Sequence, residues 1–282
     1  MADVPDDLTL DAALEAERAF VLTLGGFALE LPGAVLVTHE KIPVPRFNFA
    51  VVRAVGRERQ AAFFEHALDH YFQRALRPSF RVPIPVPAHL DAGLRRFGFR
   101  ARPDPLTVLR ATAGGSDGRP EPVRVRAAAT DELDLVASFW TGERERPEFR
   151  TALEIAWAHP NPDERMAPLL ASLNGEPIAA AIVYRHRSTA GIHAVATRPT
   201  ARGRGAATAL VRHAIRTEPA GAAARYTMFA DSPRLEARLA SLGLAPVGAF
   251  RAYELPADAE LALPPPGPPG PPRWRPPRDQ VR

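Results

Sequence analysis

The sequence predicts an α/β (α+β) protein made of two mixed β-sheet domains in tandem. Three observations carry this. Between 123 and 255, apolar runs of strand length alternate with helical patterns. Asn174-Gly175 joins two of the runs, and Asn-Gly between apolar segments is the strongest short-range hairpin signal. Third, residues 47–99 repeat at 192–244, an offset of 145, with ten identities in 53 positions. The matches fall at a strand–helix junction and a helix end. Arg57-Glu-Arg-Gln-Ala-Ala62 lies on Arg202-Gly-Arg-Gly-Ala-Ala207, and Leu90, Leu94 and Gly98 lie on Leu235, Leu239 and Gly243.

The elements of the second half follow in order. Residues 123–126 alternate as a short strand. Thr130 is the expected N-cap of a helix running to about 140. The hairpin strands occupy 166–173 and 177–184, and a further strand runs from 190 to 197. A helix from about 205 to 216, a strand at 226–230, a helix at 233–242 and a strand at 249–255 complete the domain.

Two segments read as linkers. Residues 113–122 are rich in Gly and Pro and separate a first domain, 1–112, from a second, 123–255. Residues 256–282 contain ten prolines and are expected to be an extended or disordered tail. The tail is either solvated or a docking segment for a proline-binding partner, with Trp274 as its anchor.

Composition excludes several classes. Without cysteine there is no disulfide framework, thiolate nucleophile or cysteine-ligated metal. The net charge of +4 includes +3 from residues 264–282, so residues 1–263 carry about +1 and nucleic-acid binding is not expected. Lys41 is the one lysine, and the arginine excess sets the high pI. The acidic start MADVPDD is not a secretory signal, and the longest apolar stretch, 19–29, is too short to span a bilayer. A cytoplasmic protein without membrane contact is the expectation.

The informative segment runs from Gly191 to Leu210. A strand ends near Thr197, Pro199 breaks it, and an Arg/Gly loop leads into a helix. The first N–H groups of a helix have no internal partners and its dipole favours negative charge. Gly203 and Gly205 lack the Cβ atoms that would hold a phosphate away from the backbone, and Arg202 and Arg204 add charged donors. A pyrophosphate fits such a site.

Arg202-Gly-Arg-Gly205-Ala-Ala207, with Thr197-Arg-Pro199 before it, resembles the acetyl-CoA signature of the GCN5-related N-acetyltransferase (GNAT) family. The resemblance covers about 123–255 and implies an N-acetyltransferase with acetyl-CoA as co-substrate and an amine as acceptor. It implies that the main-chain N–H groups of Arg202, Gly203, Arg204, Gly205, Ala206 and Ala207 cradle the pyrophosphate, with Thr208 adding a hydroxyl. It further implies that the strand through Val195, Ala196 and Thr197 splays from its neighbour to bind the pantetheine arm. The N–H near Val195 would then polarise the thioester carbonyl.

A base is needed for the amine. The family often has Glu where this chain has Gly191, and His193, on the same strand face, is the candidate base or water relay, or else a packed histidine. Asp231 stands where the family often has Asn near the thiol. The family's usual acid is a Tyr at the place of Leu239, and Tyr253 is the candidate substitute. The first repeat has Glu58 and Gln60 in place of Gly203 and Gly205, so it is expected to have lost the CoA site.

No metal is expected. His66 and His70 are spaced i, i+4 on a helix, but without a third ligand they are read as a helix face. Residues 143–148 are either a solvated loop or a wall that selects the acceptor. The expected activity is amine acetylation; the alternative is a catalytically silent CoA-binding regulatory or interaction protein. The acceptor, donor chain length and oligomeric state are not set by the sequence.

Overall fold

The computed structural model describes residues 9–112, 123–141, 147–158, 165–217 and 225–256. The linker at 113–122, most of the acceptor loop at 143–148 and the proline-rich tail lie outside the described residues. The chain forms two compact units, 1–25 with 104–250 and 26–103 with the C-terminal segment from 251.

The first unit contains helix α1 (Leu10–Thr23), strands β6 (Leu106–Thr112), β7 (Val123–Ala127), β8 (Met166–Leu173), β9 (Glu176–His186), β10 (Thr189–Thr197) and β11 (Arg225–Ala230), helices α4 (Leu133–Thr141), α5 (Pro147–Trp157), α6 (Ala206–Thr217) and α7 (Pro233–Ala240), and the first six residues of β12 (Ala245–Glu254). Its strands lie in the order β12-β6-β11-β10-β9-β8-β7. The β8–β9 hairpin turns at Asn174 (φ 54°) and Gly175 (φ 86°), the left-handed conformations that this dipeptide adopts most readily. One sheet face is covered by α6 and α7. Leu109, Ala181, Ile192, Tyr226 and Met228 meet Leu210, Ala214 and Leu239 there in one buried cluster. Burial of this kind contributes roughly 25 cal/mol per Å² of apolar surface.

The opposite face of β9 and β10 carries Tyr184 and His193, and α1 lies on it. Phe20 stacks on His193 with ring centroids 4.0 Å apart, and the Thr23 hydroxyl bonds the Tyr184 hydroxyl at 2.7 Å. Thr9 caps α1, its Oγ1 accepting from the Ala12 N–H at 3.3 Å.

The second unit holds β1 (Phe27–Leu31), β2 (Ala34–Thr38), β3 (Phe49–Val52), α2 (Gln60–Phe72), β4 (Ser79–Pro83), α3 (Ala88–Arg96), β5 (Arg100–Ala101) and the end of β12, which pairs Tyr253 with Ala101. Its core gathers Leu36, Phe64, Tyr71, Phe80, Leu94 and Phe99.

The repeat found in the sequence is structural. Parallel β3 and β4 flank α2, as parallel β10 and β11 flank α6. Helices α3 and α7 start at Ala88 and Pro233, the offset of 145. Each ends near a left-handed glycine, Gly98 (φ 85°) and Gly243 (φ 86°), where a side chain would be strained. The fold therefore contains two similar mixed α/β units in tandem. The units do not follow the division at 113–122 expected from the sequence. Strand β6, which follows the first repeat, pairs with β11 in the first unit, and residues 251–254, which follow the second repeat, belong to the second unit.

Three local expectations change. Thr130 does not cap the helix: Thr130–Glu132 forms a 3₁₀ turn, α4 starts at Leu133, and the Glu132 carboxylate accepts from the Ala129 N–H at 2.8 Å. Arg126 donates to the same carboxylate at 2.6 Å and, with the Ala129 N–H, holds it down to about 2. Helices α1 and α5 have no counterpart in the sequence reading. The last strand starts at Ala245 rather than 249 because a register shift between Pro246 and Gly248 hides its alternation.

Candidate functional site

The site is built where β10 leaves β11. The two strands pair in parallel only from Thr189↔Arg225 to Gly191↔Thr227. The last six residues of β10 then diverge. The break is reinforced on the other side, where the register with β9 shifts between His193 and Ala196 and Ala194 takes φ 52°. A bulge of this kind bends a strand and redirects its groups. The main chain at Ala194, Val195, Ala196 and Thr197 is thereby partly released from the sheet at the fork, and all four residues are only half-buried.

The second unit differs at the same place. Strand β3 stays paired with β4 through Val51↔Arg81, one residue from its end. There is no fork, so a ligand arm cannot lie between these strands.

At the mouth of the fork a 3₁₀ turn, Pro199–Ala201, leads through Arg202, Gly203, Arg204 and Gly205 into α6. Gly203 (φ 81°) and Gly205 (φ 85°) are left-handed, and nothing lies within 4 Å of where a Cβ would sit on either. Both features call for glycine: the conformation, and open space for close approach to the backbone. The Arg202 N–H bonds Pro199 O at 3.3 Å and the Arg204 N–H bonds Ala201 O at 3.4 Å. These two amides take part in the turn. The rest of the expected cradle is Gly203, Gly205, Ala206, Ala207 and Thr208. The side chains of Arg202 and Arg204 are exposed beside it.

Thr208 is nearly buried, and its Oγ1 accepts from Arg238 of α7 at 2.7 and 3.2 Å. Arg238 was not singled out from the sequence; its signal lies in the repeat. Its counterpart is Gly93, and the counterpart of Gly205 is Gln60. In the second unit the Gln60 amide donates to His89 O at 2.6 Å and fills the space over Gly93. The large and small residues have changed places between the repeats. Glu58 is exposed, with its carboxylate folded against Gly56.

The catalytic candidates fare differently. His193 is 3% exposed, clamped between the sheet and Phe20. A Cβ on Gly191 would lie 2.1 Å from its Nε2, so the imidazole occupies the space that a side chain at 191 would need. Asp231 is exposed, directly after the C-terminal end of β11 and before α7. Leu239 is buried in the α6–α7 cluster. Tyr253 falls in the second unit. Its hydroxyl donates to Asp91 Oδ1 at 2.7 Å, and burial first, then this carboxylate, push its pKa well up. Both effects oppose proton donation, and the structure gives Tyr253 a packing role instead.

His70 is tied to Thr38 by a 2.8 Å hydrogen bond. Among the described residues no group of three or more His, Asp or Glu side chains is placed to hold a metal ion. No helix among them is long and apolar enough to cross a membrane.

Residues 130–237 match the acetyltransferase (GNAT) family. No curated protein matches the chain. Among solved structures the chain is similar to a GCN5-related N-acetyltransferase from Kribbella flavida, with TM-score 0.65, 16% identity and coverage of 89% of this chain and 97% of that one. It is also similar to a GCN5-related N-acetyltransferase from Sphaerobacter thermophilus, with TM-score 0.55, 15% identity and coverage of 80% and 81%. A tandem GNAT protein from the clavulanic acid biosynthesis pathway gives TM-score 0.51 and 14% identity over 80% of this chain and 79% of that one. At these identities the likeness is one of fold.

Proposed function

We propose, from the match of residues 130–237 to the acetyltransferase (GNAT) family, that the protein is an acyl-CoA-dependent N-acyltransferase, with acetyl-CoA as donor and an amine as acceptor. The observation that carries this reading is the parting of β10 from β11 after Gly191, with the Gly203–Gly205 loop at its mouth.

In this reading the N–H groups of Gly203, Gly205, Ala206, Ala207 and Thr208 hold the pyrophosphate, and Arg202 and Arg204 draw it in. The main chain from Ala194 to Thr197 binds the pantetheine arm. The Val195 N–H polarises the thioester carbonyl and stabilises the oxyanion formed when the amine attacks. An oriented donor of this kind is worth about 3–4 kcal/mol. Positioning supplies much of the remaining acceleration. The C–S bond then breaks and the CoA thiolate departs. A thiol pKa of roughly 8.5 makes it a tolerable leaving group without a dedicated acid. The second unit, which has no fork and carries Glu58 and Gln60, binds no CoA.

A second reading is a silent CoA-binding protein. It is favoured by Gly191 and Leu239 at the family's usual base and acid positions, and by the Tyr253–Asp91 bond. Calorimetric titration of the full chain with acetyl-CoA tests both. One site per chain, abolished by Gly203→Glu with Gly205→Gln, is expected. No binding at millimolar acetyl-CoA would overturn the CoA assignment. Binding without CoA release across a panel of amines would leave the silent reading.

A further inference from the structure

Glu17 is the one buried acidic side chain among the described residues, at 4% exposure, and the reading above gives it no task. Glutamate is rarely buried to this degree, because an ionised carboxylate loses its hydration. Its place in the fold follows from helix α1 and the sheet register.

Helix α1 crosses the strands. Near its start, Leu10 lies 3.0 Å from where a Cβ of Gly248 on β12 would be. Near its end, Phe20 stacks on His193 of β10 and Thr23 bonds Tyr184 of β9. The register puts these contacts in one row. Gly248 pairs with Val108 on β6, Val108 with Phe229 on β11, and His193 with Ile182 on β9. Phe229 and His193 each stand two residues past the last β10–β11 pair, Gly191↔Thr227. From β12 to β9 are four strand spacings, about 19 Å. From Leu10 to Thr23 are thirteen helical steps, also about 19 Å. One turn of α1 therefore advances about one strand. Thr23 stands over β9 and Phe20 over β10. Glu17, one turn earlier and buried on the same face, stands over β11 at the Phe229 row, on the flank of the gap between Phe229 and His193. The fork opens along that flank.

We propose that Glu17 is the carboxylate that receives the acceptor amine, supplied by helix α1 in place of the missing side chain at Gly191. The inference rests on the acyl-transfer reading. The acceptor arrives as an ammonium ion and gives one proton to Glu17. The neutral nitrogen attacks the thioester carbonyl carbon, and an N–C bond forms. As the C–S bond breaks, the second proton passes from nitrogen to the departing thiolate. Glu17 returns its proton to solvent. The products are the amide, CoA and one proton. A carboxylate at this point selects cationic primary amines over neutral or anionic acceptors.

Other ionisable groups share this face. His193 is on β10, His186 on β9, Arg225 on β11 and Arg110 on β6 opposite Thr227. Arg225 and His186 lie at the paired end of β10, beside Thr189. Arg18 follows Glu17 on α1 itself and carries an ion pair with Glu15 at 3.1 Å.

The test uses the full chain with Glu17→Gln and Glu17→Asp, acetyl-CoA as donor, and a linear diamine and an α-amino amide as probes. CoA thiol release is followed from pH 6 to 9, with acetyl-CoA affinity and thermal stability measured alongside. The inference expects Glu17→Gln to lower kcat/KM about 100-fold, the usual scale for a lost proton acceptor. Acetyl-CoA affinity should stay within about twofold. Glu17→Asp should restore part of the rate. A purely structural role would lower stability and affinity together with no rescue of kcat/KM by Glu17→Asp, and that result overturns the proposal. So does a Glu17→Gln rate within about twofold of the parent. Parent protein that binds acetyl-CoA but acylates neither probe overturns the proposal and leaves CoA binding standing; parent that binds no acetyl-CoA overturns both.

Discussion

The imidazole of His193 stands where Gly191 would carry a side chain: a Cβ there would be 2.1 Å from Nε2 and 2.8 Å from Cε1. The two positions form one unit of packing. His193 is also held by Phe20 at 4.0 Å, so it has little room to yield. Gly191→Ala is expected to cost about 1–3 kcal/mol, the usual penalty for overpacking. His193→Ala should relieve most of it, giving a coupling energy of about 1 kcal/mol or more in a double-mutant cycle. Urea denaturation of the four proteins measures this. Additive effects would show that the ring moves aside freely.

A glycine inside an exposed helix is normally improved by alanine, by about 1 kcal/mol. Gly93 in α3 is predicted to reverse that sign. A Cβ there would lie 1.6 Å from the Gln60 amide nitrogen and 2.7 Å from Phe64 Cε2. Gln60 cannot step away without losing its 2.6 Å bond to His89 O. Gly93→Ala should lower the melting temperature by roughly 2–4 °C, corresponding to about 1 kcal/mol in a chain of this size. Gly93→Ala combined with Gln60→Ala should lose less than the two single changes added together.

Much of this was legible in the sequence, and the reason differs by element. The hairpin and the Gly203–Gly205 loop were legible because their glycines and Asn174 answer to a local conformation, positive φ, that few residues accept. The repeat was legible because Leu90, Leu94 and Gly98 mark a helix end just as Leu235, Leu239 and Gly243 do. Helix α1 was not, because Glu17 and Arg18 interrupt its apolar pattern. Tyr253 was misplaced for another reason: its partner Asp91 is 162 residues away, a distance that no local pattern encodes. The replacement of Gly205 and Arg238 by Gln60 and Gly93 needed the register of both repeats in space.

His70 gives the second unit a pH dependence. Burial first, then the charges of Arg74 and His66, lower it from 6.5 to about 4. The neutral ring is the one that fits beside Thr38. A group whose folded pKa is depressed in this way contributes stability that is complete above its unfolded pKa. As pH falls from 6.5 to 4 the unfolded chain takes up a proton that the folded chain refuses, and the contribution is lost. With partial exposure of the ring the loss should be of order 1–2 kcal/mol. His70→Asn should flatten the stability profile over that interval. A profile unchanged by the substitution would assign the slope to other groups.

The arginines beside the Gly203–Gly205 loop act at a distance. Arg202→Ala with Arg204→Ala should lower acetyl-CoA affinity about tenfold at low salt and much less at 0.5 M, since exposed charges are screened there. Folding stability should change by no more than about 0.5 kcal/mol. Titrations at two ionic strengths separate this steering from the contact made by the backbone N–H groups. An equal loss at both would make the arginines direct, desolvated ligands.

The second unit takes its last strand residues from 251–254, and the first unit takes β6 from before residue 113. This interleaving sets an order on biosynthesis. A ribosome that has released residues 1–112 has delivered most of the second unit but not the segment that pairs with Ala101, while β6 must wait for β11 to emerge. Neither half can reach its native state before residues 245–254 have emerged, and each nascent sheet presents an open edge until then. Premature stop codons anywhere before 251 should therefore yield protein that is cleared or aggregates, rather than a working fragment.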